Sequence, residues 1–354
     1  FMTVTVLFQL ATPRITAAIG YRWVLAIGSA LLGLPSGLLA VFDVSFAVLA
    51  ISAVRGAGFG MMTVAGSALV AELAPAGMLG RATSLIGLAI GISEALFLPA
   101  GLWLLEAFGL PVVAWSATAF GVVGLFAAAR LPNVYPTPTK PADRAALSTK
   151  QVLILLVGPF LVMLAVSLPY GAAASFLSPA LDEIVHGSGA VVAGVGLGLL
   201  GAGVIVGRTF AGNISDRRGP GAMVWPGLGL AALGMIGIAV LLTVEVNPWW
   251  FLVPTTVFGL GFGAVQNDAL VASFERMPRS RLGTASASWN ISFDTGTGLG
   301  SIVMGGLAGF GYVVLFAVSA AIVLVVGAPA AIYARRTRPP RDLTQLQTGD
   351  KVDG

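Results

Sequence analysis

Apolar positions along this chain fall in long unbroken runs, not at the 3.6-residue or 2-residue spacing of elements half-buried in water, and polar residues collect in short turns between them. Ten runs, over about 22–41, 45–70, 82–105, 111–130, 151–178, 188–211, 221–243, 248–273, 283–308 and 311–334, each reach the ~20 residues that a helix needs to cross a bilayer. The opening stretch, Phe1 to Ala11, is apolar but too short to span. It has neither the basic start nor the small-residue cleavage site of a signal peptide, so it reads as the second half of a helix whose beginning is missing. The pattern predicts an all-α membrane protein with about eleven transmembrane helices present.

The chain also repeats itself. Sliding it by about two hundred residues lays Gly56, Gly58, Phe59, Gly60, Glu72, Pro75, Gly80 and Ala82 on Gly259, Gly261, Phe262, Gly263, Glu275, Pro278, Gly283 and Ala285 without a gap. A period that long does not suit a solenoid; it suits two like halves, each a bundle of membrane helices, facing each other. The longest polar connection, Leu131 to Lys150, carries Pro132, Pro136, Pro138 and Pro141 and reads as an extended strap. The expected domains are an N-terminal bundle at 1–130, a cytoplasmic linker at 131–150, a C-terminal bundle at 151–335 and a tail at 336–354.

Composition agrees: 57% of residues are apolar and 10% charged, and the mean hydropathy is +0.94. Cysteine is absent and His186 is the only histidine, which excludes disulfides, thiolate metal sites and a Ser–His pair, and no cofactor is called for. The net charge of +4 forms no nucleic-acid patch, because the basic residues alternate with the turns. Turns around Asp43, Glu106, 182–186, Glu245 and 309–311 hold no Lys or Arg. The other set holds Arg14, Arg22, Arg81, Arg130, Lys140, Arg144, Lys150, Arg217, Arg218, Arg276, Arg279, Arg281 and the cluster at 335–341. By the positive-inside rule that set is cytoplasmic, and so is the C-terminus.

Charges inside the runs are the candidate chemistry. Arg55 lies about nine residues, or ~13 Å, into its segment, near the middle of a ~30 Å core. Glu94, entering from the opposite face, reaches a similar depth on the next segment and is placed to pair with it; Asp294 lies at comparable depth in the second half. A carboxyl in low dielectric protonates readily, which suits proton loading and release, while a static pair or interhelical packing is the structural alternative. Tyr170 after Pro169, Asn267 beside Gln266 and Asp268, and Trp289 with Asn290 are candidates to face a central cavity. Trp249 and Trp250 read as interfacial belt residues. Glycines 194, 198, 201 and 207, with Gly296 and Gly300, offer close-packing surfaces expected to line the contact between the halves.

Gly212-Asn-Ile-Ser-Asp216-Arg217-Arg218-Gly219 resembles the signature loop of the major facilitator superfamily, and the similarity runs over essentially all of residues 1–335. The first-half counterpart, 13–22, keeps Gly20 and basic residues but carries Ala17 where the aspartate belongs. The resemblance implies a twelve-helix carrier of two pseudo-symmetric bundles, here lacking the first helix, that works by alternating access. In that family an arginine at the Arg55 position is implicated in proton coupling, and Asp216 would accept hydrogen bonds from a neighbouring helix N-terminus to hold the cytoplasmic gate, with Gly212, Arg217, Arg218 and Gly219 around it. The segment with Gly87, Gly91, Pro99 and Gly101 loosely resembles a motif of efflux-type members, although Leu98 replaces a glycine.

The expected activity is proton-coupled efflux of a small organic compound, as in the drug and sugar efflux branch, with uptake by proton symport the alternative. The expected partners are that solute, protons and the lipid bilayer, with no nucleic acid, for a monomer in the inner (plasma) membrane. An intramembrane hydrolase built on Glu94 and Asp294 is disfavoured by the repeat and the signature.

Overall fold

The computed structural model describes residues 1–138, 148–184 and 189–337, with the side chains at 94, 95, 98, 99 and 102 also outside the described set. Lys140, Arg144, His186 and the tail from 338 onward therefore lie outside the described residues. The helices are α1 (Met2–Gly33), prolonged by 3-10 turns at Leu34–Ala40, α2 (Ser45–Leu73), α3 (Leu79–Phe108), α4 (Leu110–Ala129), α5 (Thr149–Ile184) and α6 (Gly189–Arg218). They continue with α7 (Val224–Leu241), α8 (Leu252–Glu275), entered through a 3-10 turn at Pro248–Phe251, α9 (Leu282–Ala308), α10 (Tyr312–Ile322) and α11 (Ala328–Arg336). A π-helical stretch, Val323–Gly327, joins the last two. Among the described residues there is no strand.

The opening stub and the segment after it are two limbs of α1. The turn expected between them shrinks to Gly20, whose backbone (φ 82, ψ 164) breaks the helix, and the amide of Tyr21 donates to Val134 O at 3.0 Å instead. With the limbs taken separately and 312–336 as one run, the described residues hold eleven helical runs, the number read from the sequence. Eight stretches, with all of Met2–Ala40 taken as one, are long and apolar enough to cross a membrane. α5 stays helical through Pro159, Pro169 and Pro179.

By contacts the chain forms two compact units. One contains 1–73, 92–146 and 277–291; the other contains 74–91, 147–276 and 292–354. Each thus includes a short piece that a division at the 131–150 linker assigns to the other half: the start of α3 joins the second unit, and the start of α9 joins the first.

Polarity is inverted relative to a protein in water. In the first unit Thr5, Gln9, Thr12 and Thr16 on α1 are buried, while Phe46 is 81% exposed and Leu49 and Trp115 are open. In the second, Ser167, Thr255, Asn267 and Ser319 are buried while Phe210, Ile302 and Phe310 face outward. Hydrocarbon accepts such a surface and water does not.

With lipid tails as apolar as leucine, helices gain little from burying oil and associate through close backbone packing. The repeated glycines supply it in both units. A Cβ on Gly56 or Gly60 would lie 2.5 Å from the carbonyl oxygen of Phe1 or Thr5 on α1, and one on Gly58 would lie 2.5 Å from Gly28 O. In the second unit Gly259 and Gly263 meet Leu200 O and Val204 O on α6 at 2.3 and 2.2 Å, and Gly261 meets Gly227 O on α7 at 2.6 Å. Of the other glycines singled out, Gly207 meets Leu260 O, Gly296 and Gly300 pack on Ser167 and Leu168 of α5, and Gly194, Gly198 and Gly201 meet none of the described residues within 4 Å.

Gly58→Ala should therefore lower the thermal midpoint of the purified protein, at an overpacking cost of about 1–3 kcal/mol. Gly66→Ala, on the same helix with open space around it, should be neutral or slightly stabilising. Equal midpoints for the two variants would refute the account of the seam.

Candidate transport and gating residues

The signature read as a loop is mostly helix. Gly212 through Arg218 complete the last turns of α6, because Arg217 and Arg218 there complement the helix dipole, and the chain leaves only at Gly219. Gly219 has φ 86, a left-handed conformation suited to glycine, and its amide closes the helix on Ser215 O at 2.9 Å.

From that helix end Asp216 reaches the first turn of α3 within the second unit. Its carboxylate accepts from the amides of Gly80 at 2.6 Å and Arg81 at 3.0 Å, and the Arg81 guanidinium lies 3.9 Å away. Arg81 Nε also donates to Asn213 Oδ1 at 2.9 Å. Two of the four donors that a helix start leaves open are thus satisfied by a negative charge, where the dipole favours one. The approach needs glycine on both sides: a Cβ on Gly80 would sit 2.4 Å from Gly212 O, and one on Gly212 would sit 2.4 Å from Gly80 O.

Behind this cap two buried groups fix the helix ends. Asp268 on α8, fully enclosed, accepts from Ser215 Oγ at 2.7 Å, from the amide of Gly221 at 2.9 Å and from that of Met223 at 2.7 Å, pinning the α6–α7 turn. Asn267, also fully enclosed, donates to Gly80 O at 3.5 Å, at the α3 start whose amides Asp216 caps. Arg208, just over two turns inside α6 from Asp216, is 5% exposed. It donates to Gln266 Oε1 at 2.7 Å and lies over Gly87, where a Cβ would be 2.1 Å from its Nε. The sequence reading passes over Arg208 and treats Asp268 only as a neighbour of Asn267 near the cavity. The rule that singles out Arg55, a charge deep in an apolar run, also finds Arg208.

The corresponding seam in the first unit carries uncharged hydrogen bonds. Ser286 and Ser67 share a hydrogen bond of 2.6 Å, Ser286 Oγ is 2.8 Å from Val64 O, and Asn290 donates to Ser286 O at 2.9 Å and to Ser67 Oγ at 3.3 Å. Ala17, in place of a second aspartate, lines a cavity of about 50 Å³ with Pro13, Thr16, Gly283 and Thr284. Trp289 is 7% exposed. Arg55 is half-buried, and its Nε donates to Leu32 O at 3.3 Å. The side chain of Glu94 is outside the described set, so the pairing expected with Arg55 stays a proposal.

In the second unit Tyr170 stacks on Phe262, with ring centroids 4.5 Å apart, and Phe293 lies 6.2 Å from each. Phe293 precedes Asp294, whose side chain is 5% exposed. Phe293 of the cluster and the buried Asp294 are thus consecutive residues of α9.

The sequence profile of the Major Facilitator Superfamily matches residues 1–293. The chain belongs to that superfamily. The superfamily is made of transporters, not enzymes, and its members carry small-molecule substrates. No curated protein sequence matches the chain. Among solved structures, the proton:xylose symporter XylE bound to 6-bromo-6-deoxy-D-glucose superposes with a TM-score of 0.74 at 16% identity, over 98% of this chain and 87% of that one. The E. coli fucose:proton symporter FucP gives 0.69 at 15%, over 94% and 88%. The human organic anion transporter TETRAN gives 0.73 at 16%, over 94% and 82%. At these identities the likeness establishes the fold alone; the multi-pass membrane character follows from the family match and the apolar helices.

For this superfamily member, Asp216→Ala should remove the α3 cap and lower the thermal midpoint by an amount corresponding to about 1–2 kcal/mol. Asp268→Ala should cost more, because it strands three donors in a buried site at about 1–3 kcal/mol each. Denaturation of the two variants in one detergent checks the order; a more severe Asp216 variant would reverse the assignment.

Proposed function

We propose that the chain is a proton-coupled secondary transporter that exports a small organic compound by alternating access across the inner (plasma) membrane, with its basic turns and C-terminus in the cytoplasm. The observation that carries this reading is the buried carboxyl of Asp294 in the middle of α9, on the residue that follows Phe293 of the Tyr170–Phe262–Phe293 cluster. A carboxyl held in low dielectric exchanges a proton when its surroundings change, and a partly open aromatic face takes the flat or apolar side of an organic solute. Arg55 and Glu94 complete the proposed coupling set. Tyr170, Asn267, Trp289 and Asn290 are the proposed solute contacts, Asn267 also donating to Gly80 O at the start of α3. Asp216 with Gly212, Arg217, Arg218 and Gly219 forms the proposed cytoplasmic gate, and the chain is proposed to act as a monomer.

Uptake by proton symport is the second reading. It uses the same residues, and the likeness to XylE and FucP, both proton symporters, favours it.

Asp294→Asn and Glu94→Gln should each reduce pH-gradient-driven transport in proteoliposomes by at least tenfold while leaving substrate exchange at equal pH measurable. Unchanged gradient-driven transport in both variants would remove the coupling assignment. Direction is read from cells with and without the protein: lower retention of labelled solute with it supports export, and higher retention supports symport.

A further inference from the structure

The second unit holds a cleft of about 310 Å³ that the transport reading does not use. It lies where α5, α6, the α6–α7 turn, α8 and α11 come together at their basic ends, and its walls include Arg218, Arg276, Arg335, Trp225, Pro220 and Gly221. Among the described residues three guanidinium-bearing side chains line it and no carboxylate does; Glu275, next to Arg276 in sequence, is not part of the wall.

The three arginines are held differently. Arg276 is 8% exposed and anchored, its Nη1 donating to Ala272 O at 2.9 Å and its Nη2 to Ala334 O at 2.8 Å. Arg335, at the end of α11, lies over the Trp225 ring at 5.5 Å. Arg218, last residue of α6, is exposed. The indole Nε1 of Trp225 is enclosed and has no acceptor among the described residues. The amides of Gly221 and Met223 are occupied by Asp268, which leaves the side chains to hold whatever enters.

We propose that this cleft binds a phosphate group. Guanidinium forks match phosphate oxygens in pairs, and a fixed, buried arginine flanked by two exposed ones offers a ready anchor with flexible closing arms. A volume near 300 Å³ suits a headgroup-sized ligand. Arginines at helix ends with an interfacial tryptophan lie at headgroup level, where basic pockets between membrane helices meet anionic lipid. The phosphate comes either from an anionic phospholipid or from a soluble phosphate. Placing the cleft on the cytoplasmic side rests on the orientation proposed above; the binding does not.

The test uses the purified, delipidated full chain and reads binding, not transport, so its outcome is independent of the transport reading. Phosphatidylglycerol, phosphatidylcholine and inorganic phosphate are titrated separately, with the thermal midpoint and native mass spectrometry as readouts. Phosphatidylglycerol should raise the midpoint more than phosphatidylcholine, and Arg218→Ala with Arg335→Ala should weaken that binding by roughly tenfold or more. Arg336→Ala, on the same helix but outside the wall, should bind as the wild type does. Stabilisation by phosphatidylglycerol alone identifies a lipid headgroup site, and stabilisation by inorganic phosphate as well identifies a soluble-phosphate site. Equal responses to both lipids with none to phosphate, or unchanged affinity in the double variant, would overturn the proposal.

Discussion

The contact on which both units depend is the close approach of helix backbones at glycine. Inside hydrocarbon every backbone amide is already used within its helix, and oil gains little by touching oil, so cohesion comes from packing and from the few polar groups that cross between helices. The run 56–60 on α2 and its counterpart 259–263 on α8 bring carbonyl oxygens so near that any side chain would collide. Everything described as a site is hung on this frame: Arg55 directly precedes the first run, and Phe262 of the aromatic cluster lies inside the second.

The two units use different chemistry for the same architectural step. In each, the first turns of a helix, α3 or α9, pack on a glycine-built pair. The second unit fastens its helix with a carboxylate on two amides, and a charged contact of that kind is stronger than a neutral hydrogen bond. The first unit has Ala17 and relies on the hydroxyls and amide of Ser67, Ser286 and Asn290. If both fastenings must release during a transport cycle, the neutral one should yield at lower cost, which makes the substitution at Ala17 a difference of energetics and not of fold.

Much of the architecture was legible in the sequence because it is written in run length and in a repeat, both of which survive without knowledge of contacts. Eleven helices, the glycine repeat and the placing of Asp216 at a helix end belong to that class. What was not legible depends on register between distant segments. Gly212–Arg218 looked like a loop because its composition is polar, yet the Ser215 carbonyl and the left-handed Gly219 carry the helix to its last arginine. Asn267 and Asp268 are adjacent and equally polar, but one faces Gly80 and the other the α6–α7 turn. Hydropathy cannot separate them, and the cleft around Arg276 is invisible until four helix ends converge.

Depth then separates two kinds of ionisable group. Asp216, Asp268 and Arg276 sit within about a turn or two of helix ends, and each engages backbone donors or acceptors. Groups so placed serve the fold, since the ends of helices are where backbone hydrogen bonding is incomplete. Arg55 and Asp294 lie far from any helix end, where the helix has no unmet backbone need and a charge is costly to keep. Arg208 bridges the two classes: it lies well inside α6 and is engaged by Gln266, so its cost is met by an interhelical contact. A carboxyl retained at mid-span fits a group whose charge state must change, and that is the physical basis for proposing coupling at Asp294 and not at the aspartates of the helix ends.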